Sequence, residues 1–181
     1  MTDVNGTYAI DPSHSRIGFV ARHAMVTRVR GSFDEFEGTG HFDADDASKI
    51  KLDLTIKAES IDTRNDDRDG HLRSNDFFDM DNYPEITFAS TQVEKVDNET
   101  YRVTGNLTIK GTTKPVTIDF DYHGAATDPF GNQRIGLEGS ATINRKDWGV
   151  EWNAPLETGG VLVGEKVTLE IEVSAIKNNA A

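Results

Sequence analysis

The sequence predicts an all-β fold, an antiparallel up-and-down barrel of about eight strands with a short helical excursion near residues 62–82. Two observations carry the strands. Residues 101–110 and 116–122 alternate apolar and polar positions almost without error, with Tyr101, Val103, Gly105, Leu107 and Ile109 on one parity and Val116, Ile118, Phe120 and Tyr122 on the matching one. Similar runs recur along most of the chain, joined mainly by short, turn-rich links. Such alternation marks strands with one dry and one wet face. The third observation is where the rhythm fails, between residues 60 and 84. A meander of this size must hide its edges, and closing into a barrel does so, the alternative being a two-layer sandwich.

In chain order, residues 1–5 are a polar tail, expected to be disordered. Residues 7–10 read as a short edge strand stopped by Asp11-Pro12. Residues 15–23 place Ile17, Phe19 and Ala21 inward, and His23 with them. Residues 29–42 form a glycine-bearing strand pair or one bent strand, whose parity changes at Glu35 and Phe36 and so marks a bulge or bend. Residues 50–58 return to alternation. The excursion begins with a weak capping box from Thr63 to Asp66 and a helix to about Arg73, after which a turn carrying Phe77 and Phe78 ends at Tyr83-Pro84. Further strands follow at 85–93, 101–110, 116–122, 134–143 and 166–176, with a hairpin tip at 128–133. Residues 145–164, with Trp148 and Trp152, are irregular and lie over the barrel. The expected layout is one domain over residues 6–176 between tails 1–5 and 177–181.

Composition narrows the function. The chain has 181 residues, 36% of them apolar, no cysteine and a net charge of −12. That charge argues against nucleic acid and against anionic lipid heads. Without cysteine there is no disulfide, thiolate nucleophile or Cys-ligated metal. No apolar run reaches the roughly eighteen residues of a spanning helix, so stable membrane insertion is not expected. The first residues show neither a basic nor an apolar signal region, so a cytoplasmic protein is expected.

Small residues fall repeatedly on the inward parity: Ala21, Gly31, Ala58, Gly105, Gly139 and Ala141. They leave volume for a hollow barrel, or else mark bends of a filled one. A hollow barrel would be lined by Phe19, Phe33, Leu52, Leu54, Ile56, Phe88, Val103, Gly105, Leu107, Ile109, Ile118, Phe120, Leu137, Ile143, Leu169 and Ile171, with Phe77, Phe78 and Trp148 at its covered end. Hydrocarbon walls want an apolar guest. On this reading Gly105→Trp plugs the tube in a folded protein.

Of the five histidines, His41 and His123 fall on the wet parity, and His14, His23 and His71 lack the spacing of a local metal site. There is no Gly-x-Ser-x-Gly elbow and no calcium loop in the acidic stretch 62–81. The expected protein therefore has no catalytic residue, metal or cofactor. His14, His23, Arg68, His71, Asn144 and Arg145 either meet a ligand's polar head or hold loops on the barrel. The alternative is a lipid-modifying enzyme with a His-centred site at the barrel mouth, which requires two of His14, His23 and His71 to converge.

The chain resembles the YceI family. The resemblance lies in Tyr8-Ala9-Ile10-Asp11, His14-Ser15, Ile17 and Phe19; in Ser60-Ile61, Thr63, Arg68-Asp69 and His71-Leu72-Arg73; in Asp76-Phe77-Phe78-Asp79 and Tyr83-Pro84; and in Gly105, Leu107 to Gly111, Asn144-Arg145 and Trp148-Gly149. It implies a lipocalin-like barrel with an elongated apolar pore that binds isoprenoid chains or other amphiphiles, often as a homodimer, with no secure tie to a reaction. The expected partner is thus an isoprenoid, quinone or fatty-acid-like lipid.

Overall fold

A computed structural model describes residues 3–178. The strands are β1 (Gly6–Ile10), β2 (Arg16–His23), β3 (Thr27–Phe33), β4 (Phe36–Phe42), β5 (Lys51–Lys57), β6 (Ile61–Asp62), β7 (Glu85–Lys95), β8 (Thr100–Ile109), β9 (Thr112–Thr127), β10 (Gln133–Asn144) and β11 (Val163–Lys177), with one helix α1 (Asp66–Arg73). All pair antiparallel, and the order β1-β4-β5-β7-β8-β9-β10-β11 closes on itself through β1 and β11 as an eight-stranded barrel.

Strand parity translates directly into burial. Tyr101, Val103, Leu107, Val116, Ile118 and Phe120 are each exposed by 7% or less, because a period of two puts every second side chain on one face. The β8–β9 link is tighter than the expected five residues. Lys110 (φ 51°) and Gly111 (φ 76°) make a two-residue turn with both centres left-handed, whose twist matches that of the strands.

The residues at the chain's start do not form an edge strand. β1 pairs with β4 on one side and with β11 on the other, Tyr8 facing Gly40 and Lys177. The tail boundaries shift accordingly: Lys177 belongs to β11, and Asn5 bonds Asp45 and the Ala44 amide. Residues 1–2 and 179–181 lie outside the described residues.

The expected bend at Glu35 is one of three that lie side by side. β1 turns into β2 across the 3₁₀ turn Pro12–His14, β3 into β4 across Asp34 and Glu35, and β5 into β6 across Ala58–Ser60. Backbone bonds from Asp34 to Ser60 (3.1 Å) and from Lys57 to Glu35 (3.0 Å) knit two of these breaks. Beyond them the wall opens. β6 meets only Ser32 and Phe33 of β3, so residues 27–31 of β3 pair with β2 alone among the described residues. The segment from α1 to Pro84 stands in the gap.

The barrel therefore has two unlike ends. The tyrosine end carries the links 43–50, 96–99 and 128–132, and the cap end carries the turn 24–26, the segment 63–84, the Lys110-Gly111 turn and the loop 145–162. Among the described residues no helix is long and apolar enough to cross a membrane.

Candidate functional site

Among the described residues, two apolar chambers stand out inside the barrel. The larger, of about 170 Å³, runs from the cap end to mid-barrel. The smaller, of about 70 Å³, lies towards the tyrosine end. Ile10, Leu52, Phe120 and Val173 line both and form the partition between them. For scale, about 150 Å³ of Leu/Ile/Phe-lined space admits benzene and stays dry.

Most residues expected at the lumen face the larger chamber. Phe19, Phe33, Leu52, Leu54 and Ile56 line it from β2, β3 and β5; Phe88, Leu107, Ile109, Ile118 and Phe120 from β7, β8 and β9; Ile143, Leu169 and Ile171 from β10 and β11; and Phe77 and Phe78 from the cap. Val103 and Leu137 line the smaller chamber instead. Leu72 of α1, Val150 of the 145–162 loop and Val163 at the head of β11 also line the larger one. They were not anticipated because they lie where no period-two pattern gives a direction.

Two expectations need correction. Gly105 lines neither chamber: a Cβ there would meet the Phe88 ring, and the Ala89 carbonyl oxygen at 2.7 Å. Gly31 is covered likewise by Phe19, and Gly139 by Phe120. Inward glycines accept a neighbour's aromatic ring rather than leaving a void. Gly105→Trp would therefore collide with the wall rather than plug a tube. Trp148 is also not a lining residue. It is 3% exposed, and its indole N–H donates to the Leu107 carbonyl at 2.8 Å, pinning the 3₁₀ turn Arg145–Trp148 to β8.

The polar candidates hold loops. Asn144 caps that same turn, its side chain accepting from the Lys146 amide. Arg145, 7% exposed, donates to the carbonyls of Val150 (2.6 Å), Gly164 (2.9 Å) and Val163 (3.2 Å). Burial pulls its pKa below the ordinary guanidinium value, opposed by Glu165. Among the described residues it is also the one cationic side chain in the larger chamber's wall. Arg68 donates to the hydroxyl and carbonyl of Thr63, while buried Asp69 accepts from the Thr63 amide (2.9 Å) and hydroxyl, so the two clasp the start of α1. Asn65 caps the helix by accepting from the Arg68 amide.

The three histidines do not converge. His14 bonds Asp11 at 3.0 Å on the 3₁₀ turn Pro12–His14. His23 ends β2, opposite Thr27 and Val163. His71 bonds Asp76 at 2.9 Å and packs edge-on against Phe77 (5.0 Å) and Trp152 (4.6 Å). Among the described residues no hydrogen bond joins any two of them, and no group of three acidic or histidine side chains has metal-ligand geometry. The His71–Phe77–Trp152 contact is instead the seam where the two covering segments meet. Trp152, unmarked by any strand pattern, completes it.

Comparison with known proteins places this architecture. A UPF0312 protein of Staphylococcus aureus is 41% identical over 164 residues, 90% of this chain and 93% of that protein. The Campylobacter jejuni YCEI protein superposes with TM-score 0.73 at 33% identity, over 87% of this chain and 90% of that one. BcnA of Burkholderia cenocepacia shares the fold with TM-score 0.81 at 24% identity, over 91% and 98%. A polyisoprenoid binding domain from Saccharophagus degradans shares it with TM-score 0.71 at 17% identity, over 94% and 98%. Residues 8–175 match the YceI-like domain, and the chain belongs to that family.

Proposed function

We propose that the protein carries or sequesters a long apolar or amphiphilic lipid, such as a polyisoprenoid, quinone or fatty acid, within the barrel, without covalent chemistry. The observation that carries this is the hydrocarbon wall of the larger chamber, built from strands around the barrel with Arg145 as its one cationic group among the described residues; its volume of about 170 Å³ takes a short length of chain until rings such as Phe120 move aside. Each methylene buried there contributes about 0.8 kcal/mol. The isoprenoid binding named for the S. degradans domain supports the same class of guest.

The partition fixes how much chain is accepted. A long tail has to move the Phe120 ring aside to reach the second chamber, so Phe120→Ala should lengthen the preferred guest while costing about 3–5 kcal/mol of stability. Mass spectrometry of organic extracts of the purified protein, with uptake of prenols, quinones and fatty acids of graded length, tests the reading. A bound or acquired lipid is the expected result; an empty extract with no uptake overturns it. Sedimentation of the same samples tests the homodimer that the family resemblance implies.

A further inference from the structure

The outer face of the β2–β3 hairpin does not match the rest of the surface. In a chain of net charge −12, residues 15–33 hold four arginines and no carboxylate. All four lie on the outward parity, with Arg22 directly opposite Arg28 and Arg30 opposite Val20. Like charges facing each other across an antiparallel pair are destabilising. Arg16 and Arg30 flank Glu170 at 3.5 and 3.7 Å, whereas Arg22 and Arg28 have no carboxylate within 4 Å among the described residues. On neighbouring β11, Glu165 is already bridged to Lys146 at 3.0 Å.

The turn of the same hairpin is costly too. Ala24 (φ 51°) and Met25 (φ 66°) are left-handed without being glycine, a conformation that L side chains avoid. Beside them Met25 and Val26 are 57% and 76% exposed. Charges on β3 alone would be explained as protection of a free strand edge. That explanation does not reach Arg22, which lies on β2, a strand with a partner on each side that meets β11 at a bulge beside Arg22, nor the bare apolar tip.

From these features we infer that the β2–β3 hairpin docks the protein onto an anionic phospholipid surface, its arginines meeting phosphate groups and Met25 and Val26 entering the boundary with the acyl chains. The inward side of the same hairpin, Phe19 and Ala21, lines the larger chamber, so the docked element is also a wall of the cavity. The rest of the chain, more negative than the whole because the hairpin's four arginines lie outside it, is repelled by the same membrane and orients the molecule with this face towards it. The ligand-exchange purpose of docking rests on the carrier reading; the docking itself does not.

Flotation with vesicles of phosphatidylcholine, with and without phosphatidylglycerol, tests the inference on the full chain. Binding is expected to the anionic vesicles only and to weaken with salt. Arg22→Ala with Arg28→Ala should lower partition about 30-fold and leave melting unchanged or raised, since a like-charge pair is removed. Equal partition of that variant, or no binding by the parent, overturns the inference, as does a salt-sensitive dimer that the same variant dissolves, which would assign the face to a second copy. Uptake of a prenol supplied without vesicles separates the two readings. Uptake without flotation removes docking alone, and flotation without uptake removes the carrier alone.

Discussion

At the tyrosine end, Phe42, Tyr101 and Tyr122 pack ring on ring with centroids 5.2–6.3 Å apart, whereas at the cap end the way out is crossed by His71, Phe77 and Trp152. The first three rings belong to β4, β8 and β9, strands of the closed ring. The second three stand on segments that join no ladder of the barrel. Arg134 adds ionic staples at the tyrosine end, donating to Asp128 (2.7 Å) and Asp11 (2.8 Å) and so tying β10 to the link 128–132 and to the first bend. The cap is held by Arg145 and Arg68 donating largely to backbone oxygens. What the contrast teaches is that one end is filled by rings on strands of the closed ladder, so uncovering it is expected to require the sheet to come apart, while the other is a cover expected to release locally.

Phe42→Ala should show the largest effect, a loss of about 3–5 kcal/mol in denaturant unfolding with no change in the exchange rate of a bound apolar dye. Accelerated exchange in that variant would break the comparison, because it would mean the tyrosine end also serves as a passage. Arg145→Met strands three carbonyls and should cost about 3 kcal/mol. Its loss of amide protection is expected to concentrate in residues 150–163, which hydrogen exchange resolves. Trp152→Ala should cost about 1 kcal/mol or less in stability yet speed dye exchange roughly 5-fold; an unchanged rate would show that the seam does not gate the cavity.

The smallest expected effect is a pH dependence centred on the tyrosine end. The Arg134 guanidinium lowers Asp128 from 3.8 to about 2, and hydrogen bonds from Ser13, Arg134 and His14 lower Asp11 further still. A carboxyl depressed in the fold stabilises it fully above its ordinary pKa and loses that contribution as pH falls through the folded value. Melting temperature should therefore fall as pH drops from about 4 to about 2, and Asp128→Asn should make that fall shallower.

The strands were legible because period-two alternation dictates which face is dry, and runs such as residues 101–110 have little other way to bury their apolar groups. Direction along a strand is all that parity gives. It does not say that Phe19 and Phe120 stand directly across from Gly31 and Gly139, which requires register, and so the inward glycines looked like open space. The same limit hid the division into two chambers at Phe120. Trp148 and Arg145 were visible as motif residues, but their partners are backbone oxygens of Leu107, Val150, Val163 and Gly164, groups that every residue possesses and that no sequence pattern advertises. The role of β1 was missed for a related reason: a five-residue strand looks like an edge until its partners from distant parts of the chain are known.

β1 has a further consequence. Its pairing joins Tyr8 to Lys177, so the ring cannot shut until the last strand has left the ribosome, and the contact that shuts it is the slowest kind to find by diffusion of the chain. Before that contact forms, the apolar face of the incomplete sheet has no closing partner, and the two chambers do not yet exist.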